Sequence, residues 1–141
     1  MSEKGKLTFS KYKQLIFAIV IIIIVIILDI IFENYSKKSV KIIEGKVKKI
    51  YEIFEVNEKD YDVKELKKLS SSAIKDWEKR FDILACYMEH EEVEKINVNL
   101  KLLNCEIKNA NWNDAITTTT ETKENLKYLT SKYKFSLKNL F

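Results

Sequence analysis

Residues 15–32 read LIFAIVIIIIVIILDIIF, 18 residues of which only Asp29 is polar. Nothing else in the chain restricts its fold as much. At about 1.5 Å per helical residue the run is roughly 27 Å long, close to the ~30 Å hydrocarbon thickness of a bilayer. Inside lipid every backbone N–H and C=O needs an internal partner, so a lone spanning segment is helical. The weak helix propensity of β-branched isoleucine is a property of peptides in water and loses its weight there. The residues that remain are too few to bury so long an aliphatic run inside a water-soluble core. The run therefore predicts a transmembrane helix over residues 15–32.

The chain has 141 residues, which leaves room for one small domain at 33–141 after the span. Its formal charge of +4 is spread unevenly. Residues 1–14 carry Lys4, Lys6, Lys11 and Lys13 against Glu3, whereas residues 33–141 carry 21 Lys plus Arg against 19 Asp plus Glu. Arg80 is the only arginine, and no basic face interleaved with aromatics stands out, so nucleic acid is not an expected partner. Lysines are densest just past the span, at Lys37, Lys38, Lys41, Lys46, Lys48 and Lys49. They read first as a solvated helix face beside a membrane, with attraction to anionic lipid headgroups as the sharper alternative.

Residues 1–14 have the short, polar, basic character of a cytoplasmic tail. Lysines follow the span as well, so local charge alone leaves the orientation open. The order of basic tail, apolar run and translocatable domain matches an export signal. After the run comes Phe32-Glu33-Asn34-Tyr35, with no small-x-small cleavage site. The expectation is an uncleaved signal anchor: a single-pass cell-membrane protein, N-terminus cytoplasmic and domain extracytoplasmic. Asp29, three residues from the end of the run, reads as a side chain reaching the headgroup region rather than an intramembrane site.

From Ser36 on the pattern is helical. Val40, Ile43, Val47, Ile50 and Phe54 recur at helical spacing, and no proline separates this seam from the span, so one helix can run through both. Residues 55–59 break the pattern, with Asn57 a candidate left-handed terminus. Asp60 offers a cap for the next helix and Asp62 a favourable charge near its start. Val63, Leu66, Leu69, Ala73, Ile74, Trp77, Phe81, Leu84 and Met88 mark one apolar face. The phase slips between Met88 and Val93, and the cluster Glu89, Glu91, Glu92 and Glu94 suits a new helix start. A break there is preferred over one helix from Asp60 to Asn109, which would be about 75 Å long. Val93, Ile96, Leu100, Leu103 and Ile107 carry the next seam, ended by Asn109-Ala110-Asn111. Asn111 opens the last helix with Asp114 in a box-like spacing. Trp112, Ala115, Ile116, Leu126, Leu129 and Tyr133 give that helix an apolar face, while residues 117–120 and Thr122 weaken its middle turns. The segments NEKDYDV and NANWNDA share an Asn, a capping residue and a following aromatic, a faint repeat of helix–turn–helix units. The tail side chains Phe135, Leu137, Leu140 and Phe141 are expected to fold back over the open end.

No catalytic constellation emerges. The two glycines, at 5 and 45, exclude a phosphate loop or dinucleotide turn. His90-Glu91-Glu92-Val93-Glu94 begins like a zincin helix but has Glu94 where the second histidine belongs, so no metal site is assigned. Cys86 and Cys105 match no zinc or redox spacing and read as small buried hydrophobes; a hairpin turning near residues 88–90 sets them too far apart for a disulfide.

From Trp77 on, the residues Trp77-Glu78-Lys79, Tyr87-Met88-Glu89-His90-Glu91-Glu92-Val93-Glu94-Lys95-Ile96 and Leu137-Lys138-Asn139-Leu140-Phe141 resemble a family of short, single-span bacterial proteins. It is known only as a domain of unknown function, number four-three-six-three. The resemblance covers roughly residues 25–141, and H-E-E-V-E-K-I is its most specific block. It implies a membrane-anchored helical domain and supplies no activity, cofactor or site residue. Residues 117–120 depart from its more apolar pattern, which bears on the packing of the last helix. The combined expectation is an all-α protein: an N-terminal transmembrane helix followed by a small up-down bundle of about four helices. No enzyme activity, cofactor, or catalytic, cofactor-binding or metal residue is assigned. The expected partners are membrane lipid and another membrane or envelope protein. The alternative is an extracytoplasmic ligand-sensing helical module, with a cavity lined by Trp77, Tyr87, Trp112 or Tyr133.

Overall fold

The backbone of residues 3–56 and 60–136, and the side chains of 12–56 and 60–133, are described by a computed structural model. All regular structure among them is helical: α1 Glu3–Val56, α2 Val63–Glu78, α3 Phe81–Tyr87, α4 His90–Lys108 and α5 Trp112–Ser136. The chain divides into two compact units, residues 1–35 and residues 36–141. The expected left-handed Asn57 and the tail residues Leu137, Leu140 and Phe141 lie outside the described residues, as does the side chain of Phe135.

In the first unit, α1 leaves its apolar side chains uncovered. Leu15, Ile22, Val25 and Ile31 are 57, 58, 58 and 55 % exposed, and Phe32 still 40 %. The second unit is the reverse. The α1 seam of Val40, Ile43, Val47, Ile50 and Phe54 is buried at all five positions, as its 3–4 spacing requires. So are Val93, Ile96, Leu100, Leu103 and Ile107 of α4. Val40, Ile43 and Val47 join Ala73, Ile74, Trp77, Leu84, Met88, Val93, Ile96, Leu100, Leu126 and Leu129 in one apolar cluster. Ile50 and Phe54 join Leu66, Leu103, Ile107 and Ala115 in another. Within this unit α4 packs against α2, α3 and α5. Burying each such large side chain stabilises the fold by about 1.5–3 kcal/mol.

The helix boundaries follow local chemistry, with three departures from the pattern in the sequence. The cap of α2 is Asp62, not Asp60: its Oδ1 accepts the Glu65 N–H at 2.9 Å. Leu66 is buried, whereas Val63, the first residue of α2, is 38 % exposed.

Second, the apolar face from Leu66 to Met88 is carried by two helices. The Arg80 N–H bonds the Trp77 carbonyl at 2.9 Å, and the Asp76 carbonyl four residues back accepts the Arg80 guanidinium at 2.7 Å instead. The chain bends at Lys79-Arg80 with its 3–4 spacing intact, so hydrophobic periodicity carries no trace of the break.

The third departure is α5. It runs unbroken through its threonines, and Thr118, Thr119 and Thr122 are buried. The hydroxyls of Thr119 and Thr122 each donate to the carbonyl four residues back, at 2.6 Å. Satisfied on their own helix, they present methyl groups to the core and fill the seam between Ala115 and Leu126.

The breaks near residue 88 and at 109–111 fall where the sequence places them. Met88 is extended, at φ −103° and ψ 166°. α4 has no local side-chain cap; the Tyr133 hydroxyl of α5 accepts the Glu89 N–H at 2.5 Å instead. Lys132 pairs with the Glu89 carboxylate beside it. At its other end α4 closes in a Schellman turn. The Asn111 N–H reaches the Glu106 carbonyl at 2.9 Å and the Ala110 N–H the Ile107 carbonyl at 3.3 Å. The left-handed residue is Ala110, at φ 57°. Asn111 donates through its amide to Asp114 Oδ2 at 2.7 Å, across the box-like spacing.

Candidate functional site

The residues singled out by sequence do not converge. His90 is exposed and meets the edge of Phe81, ring centroids 6.3 Å apart. The Glu94 carboxylate accepts from Asn97 of its own helix at 3.4 Å. No group of three or more His, Cys, Asp or Glu side chains able to hold a metal ion occurs among the described residues. Both cysteines are free, and both are exposed rather than buried: Cys86 and Cys105 sit on the outward faces of α3 and α4, where the seams turn Leu84, Leu103 and Ile107 inward instead. Asp29 is exposed on α1.

The four aromatics proposed to line a ligand cavity are divided between the two clusters. Trp77 is fully buried in the first, with Tyr87 and Tyr133 packed against it, their rings 6.5 Å apart. Trp112 packs on the second, 5.6 Å from the ring of Tyr61. The Trp77 indole N–H, Ser36 Oγ, Asn99 Nδ2 and Glu106 Oε2 are buried polar atoms without a partner.

Two polar arrangements between distant segments were not legible in the sequence. In the first, Lys46 of α1 reaches α2. Its ammonium donates to Asp76 Oδ2 at 2.5 Å and to the Ser72 hydroxyl and carbonyl. Arg80 Nη1 lies 3.9 Å from the other Asp76 oxygen. The Lys46 hydrogen bond, helped by the charges of Lys46, Arg80 and Lys79 and opposed by burial, holds the Asp76 carboxyl below its ordinary value. Beside this pair, Ser70 and Ser71 both donate to Asn104 Oδ1 at 3.1 Å, tying α2 to α4.

The second is an open groove of about 340 Å³ between α1 and α5, lined by Tyr51, Glu52, Glu55, Lys123, Glu124 and neighbouring charged side chains. Lys123 Nζ sits 3.5 Å from the centre of the Tyr51 ring, a cation–π contact. The Tyr51 hydroxyl is held in its neutral form first by its hydrogen bond to Glu55, then by the charges of Glu55 and Glu124. A second groove, about 370 Å³, lies along Lys49, Asp62, Lys64, Glu65, Lys68 and Leu69.

One carboxyl is perturbed without facing a groove. Glu106, on the last turn of α4, is 9 % exposed. Burial pushes its carboxyl upward against a hydrogen bond with Thr118, and the charges of Asp114 and Glu121 add to the rise. The apolar run of α1 stays exposed along residues 15–32. Comparison with protein families, with curated proteins and with solved structures adds no relative: no family model, curated protein or solved structure matches the chain.

Proposed function

We propose that this is a single-pass membrane protein in which residues 15–32 cross the bilayer and residues 33–141 form a small up-down helical bundle. The bundle binds another membrane or envelope protein and is not catalytic. The observation that supports the span is the exposure of the run: none of the most apolar stretch of α1 is buried. Fully covering one such side chain is worth about 1.5–3 kcal/mol, and a domain is stable by only about 5–15 kcal/mol in total. A run this long is therefore covered by something, and lipid matches its length. A core helix of a water-soluble protein would already be buried by its own fold. The ligand-sensing alternative is the weaker reading, because its four aromatics are split between two clusters and line neither groove.

In membranes from cells expressing the full chain, alkaline carbonate should leave the protein in the pellet at its full mass. Release into the supernatant would refute the span, and a shortened amino terminus would refute the uncleaved anchor. Protease added to intact cells should digest the domain and spare residues 1–14; protection of the domain until lysis would reverse the orientation. Purification in mild detergent should recover a defined protein partner.

A further inference from the structure

The outward face of α1 beyond the apolar run carries a second signal. At about 100° per helical residue, Lys38, Lys41, Gly45, Lys48 and Lys49 fall within a sector of about 100°. All five are exposed, opposite the buried seam of Val40, Ile43, Val47 and Ile50. The lysines on this stretch of helix are not equivalent. Lys46 lies off the sector, bound to Asp76 and Ser72. Lys48 pairs with Glu52 one turn on, at 3.7 Å. No ion pair engages Lys38 or Lys41 among the described residues. They follow Phe32 by six and nine positions, and the first acid on their sector is Glu52. Neither lines a described groove.

We propose that Lys38 and Lys41 dock the start of the domain onto anionic phospholipid headgroups on the domain's side of the membrane. The inference rests on the membrane-spanning reading. Two ammonium groups on an open helix face give a lone phosphate ion no convergent pocket. An anionic lipid surface needs none: its potential attracts each juxtamembrane lysine, and the aliphatic stems let the charges reach to it. Each lysine contributes about fivefold in preference for an anionic over a zwitterionic surface.

The test uses the full chain reconstituted in phosphatidylcholine vesicles with traces of spin-labelled phosphatidylglycerol or phosphatidylcholine. The motionally restricted fractions give the ratio of association constants. Wild-type protein should prefer phosphatidylglycerol at low salt and lose the preference in 1 M salt, where the screening length is about 3 Å. Lys38→Gln/Lys41→Gln should bring the ratio of association constants down toward one. Lys38→Arg/Lys41→Arg should keep it. Lys64→Gln/Lys68→Gln should keep it too; it removes the same charge around Leu66, in the cluster of Ile50 and Phe54. An unchanged preference in Lys38→Gln/Lys41→Gln, or displacement of the labelled lipid by millimolar inorganic phosphate, would overturn the proposal while the span stands. A chain that fails to float with neutral vesicles would overturn the span and the docking together.

Discussion

The Lys46–Asp76 contact offers the sharpest test of how α1 is held to α2. Its side chains are 22 and 26 % exposed, so it is neither a solvent-screened surface pair nor a desolvated core pair. Two unit charges about 4 Å apart attract by about 4 kcal/mol at the effective dielectric of a protein surface. Desolvation and the ordering of a long lysine side chain remove much of that. The Ser72 hydroxyl and carbonyl also bind the ammonium, which offsets part of the ordering cost. Charged hydrogen bonds of this kind typically contribute about 1.5–3 kcal/mol, and partial exposure places this one toward the lower end. A cycle of Lys46→Met, Asp76→Asn and the double variant should therefore give a coupling energy of about 1–2 kcal/mol. Each single change should lower the melting temperature by roughly 4–8 °C per kcal/mol for a domain of this size. The assay is the thermal melt of the full chain in mild detergent, followed by near-ultraviolet circular dichroism, since Trp77 is fully buried. The pH dependence checks the sign. The Asp76 carboxyl is held below its ordinary value of 3.8 in the folded state. Its contribution is thus complete above that pH and is lost as pH falls through the folded value. A coupling below about 0.3 kcal/mol, the level at which independent sites add, would refute the reasoning. So would a coupling that is the same at pH 7 and at pH 2.

Glu106→Gln should stabilise the protein at neutral pH, because the buried carboxyl is pushed up from its ordinary value of 4.5. Wild-type stability should fall as pH rises from that value through the folded one, since the folded state there holds the extra proton; equal pH slopes in urea unfolding of both proteins would contradict this. Ala110→Gly should raise stability by about 1 kcal/mol, because a left-handed residue with a Cβ carries strain that glycine avoids. An unchanged or lowered melting temperature would refute the strain at Ala110.

Much of the architecture is a one-dimensional property of this chain. The 3–4 spacing of Val40 to Phe54 and of Val93 to Ile107 determines which face of each helix is buried, since a helix has only one way to sequester such a stripe. The phase slip after Met88 and the Asn-Ala-Asn segment at 109–111 mark two helix ends, because local backbone needs are met by local residue types. The length and purity of residues 15–32 set that run apart from every other segment. Tertiary structure decided the rest. Asp60 and Asp62 both suit the cap of α2 by residue type, and only the backbone path, which brings the Glu65 N–H to Asp62 Oδ1, separates them. The bend at Lys79-Arg80 preserves the hydrophobic phase, so no periodicity reports it. Buried threonine looks like a helix-weakening surface residue until its hydroxyl is seen bonded to its own backbone. The same holds for the candidate sites. Spacing along α1 sets Lys46 apart from the outward sector of Lys38 and Lys41, but only the packing of α2 against α1 brings Asp76 and Ser72 to its ammonium.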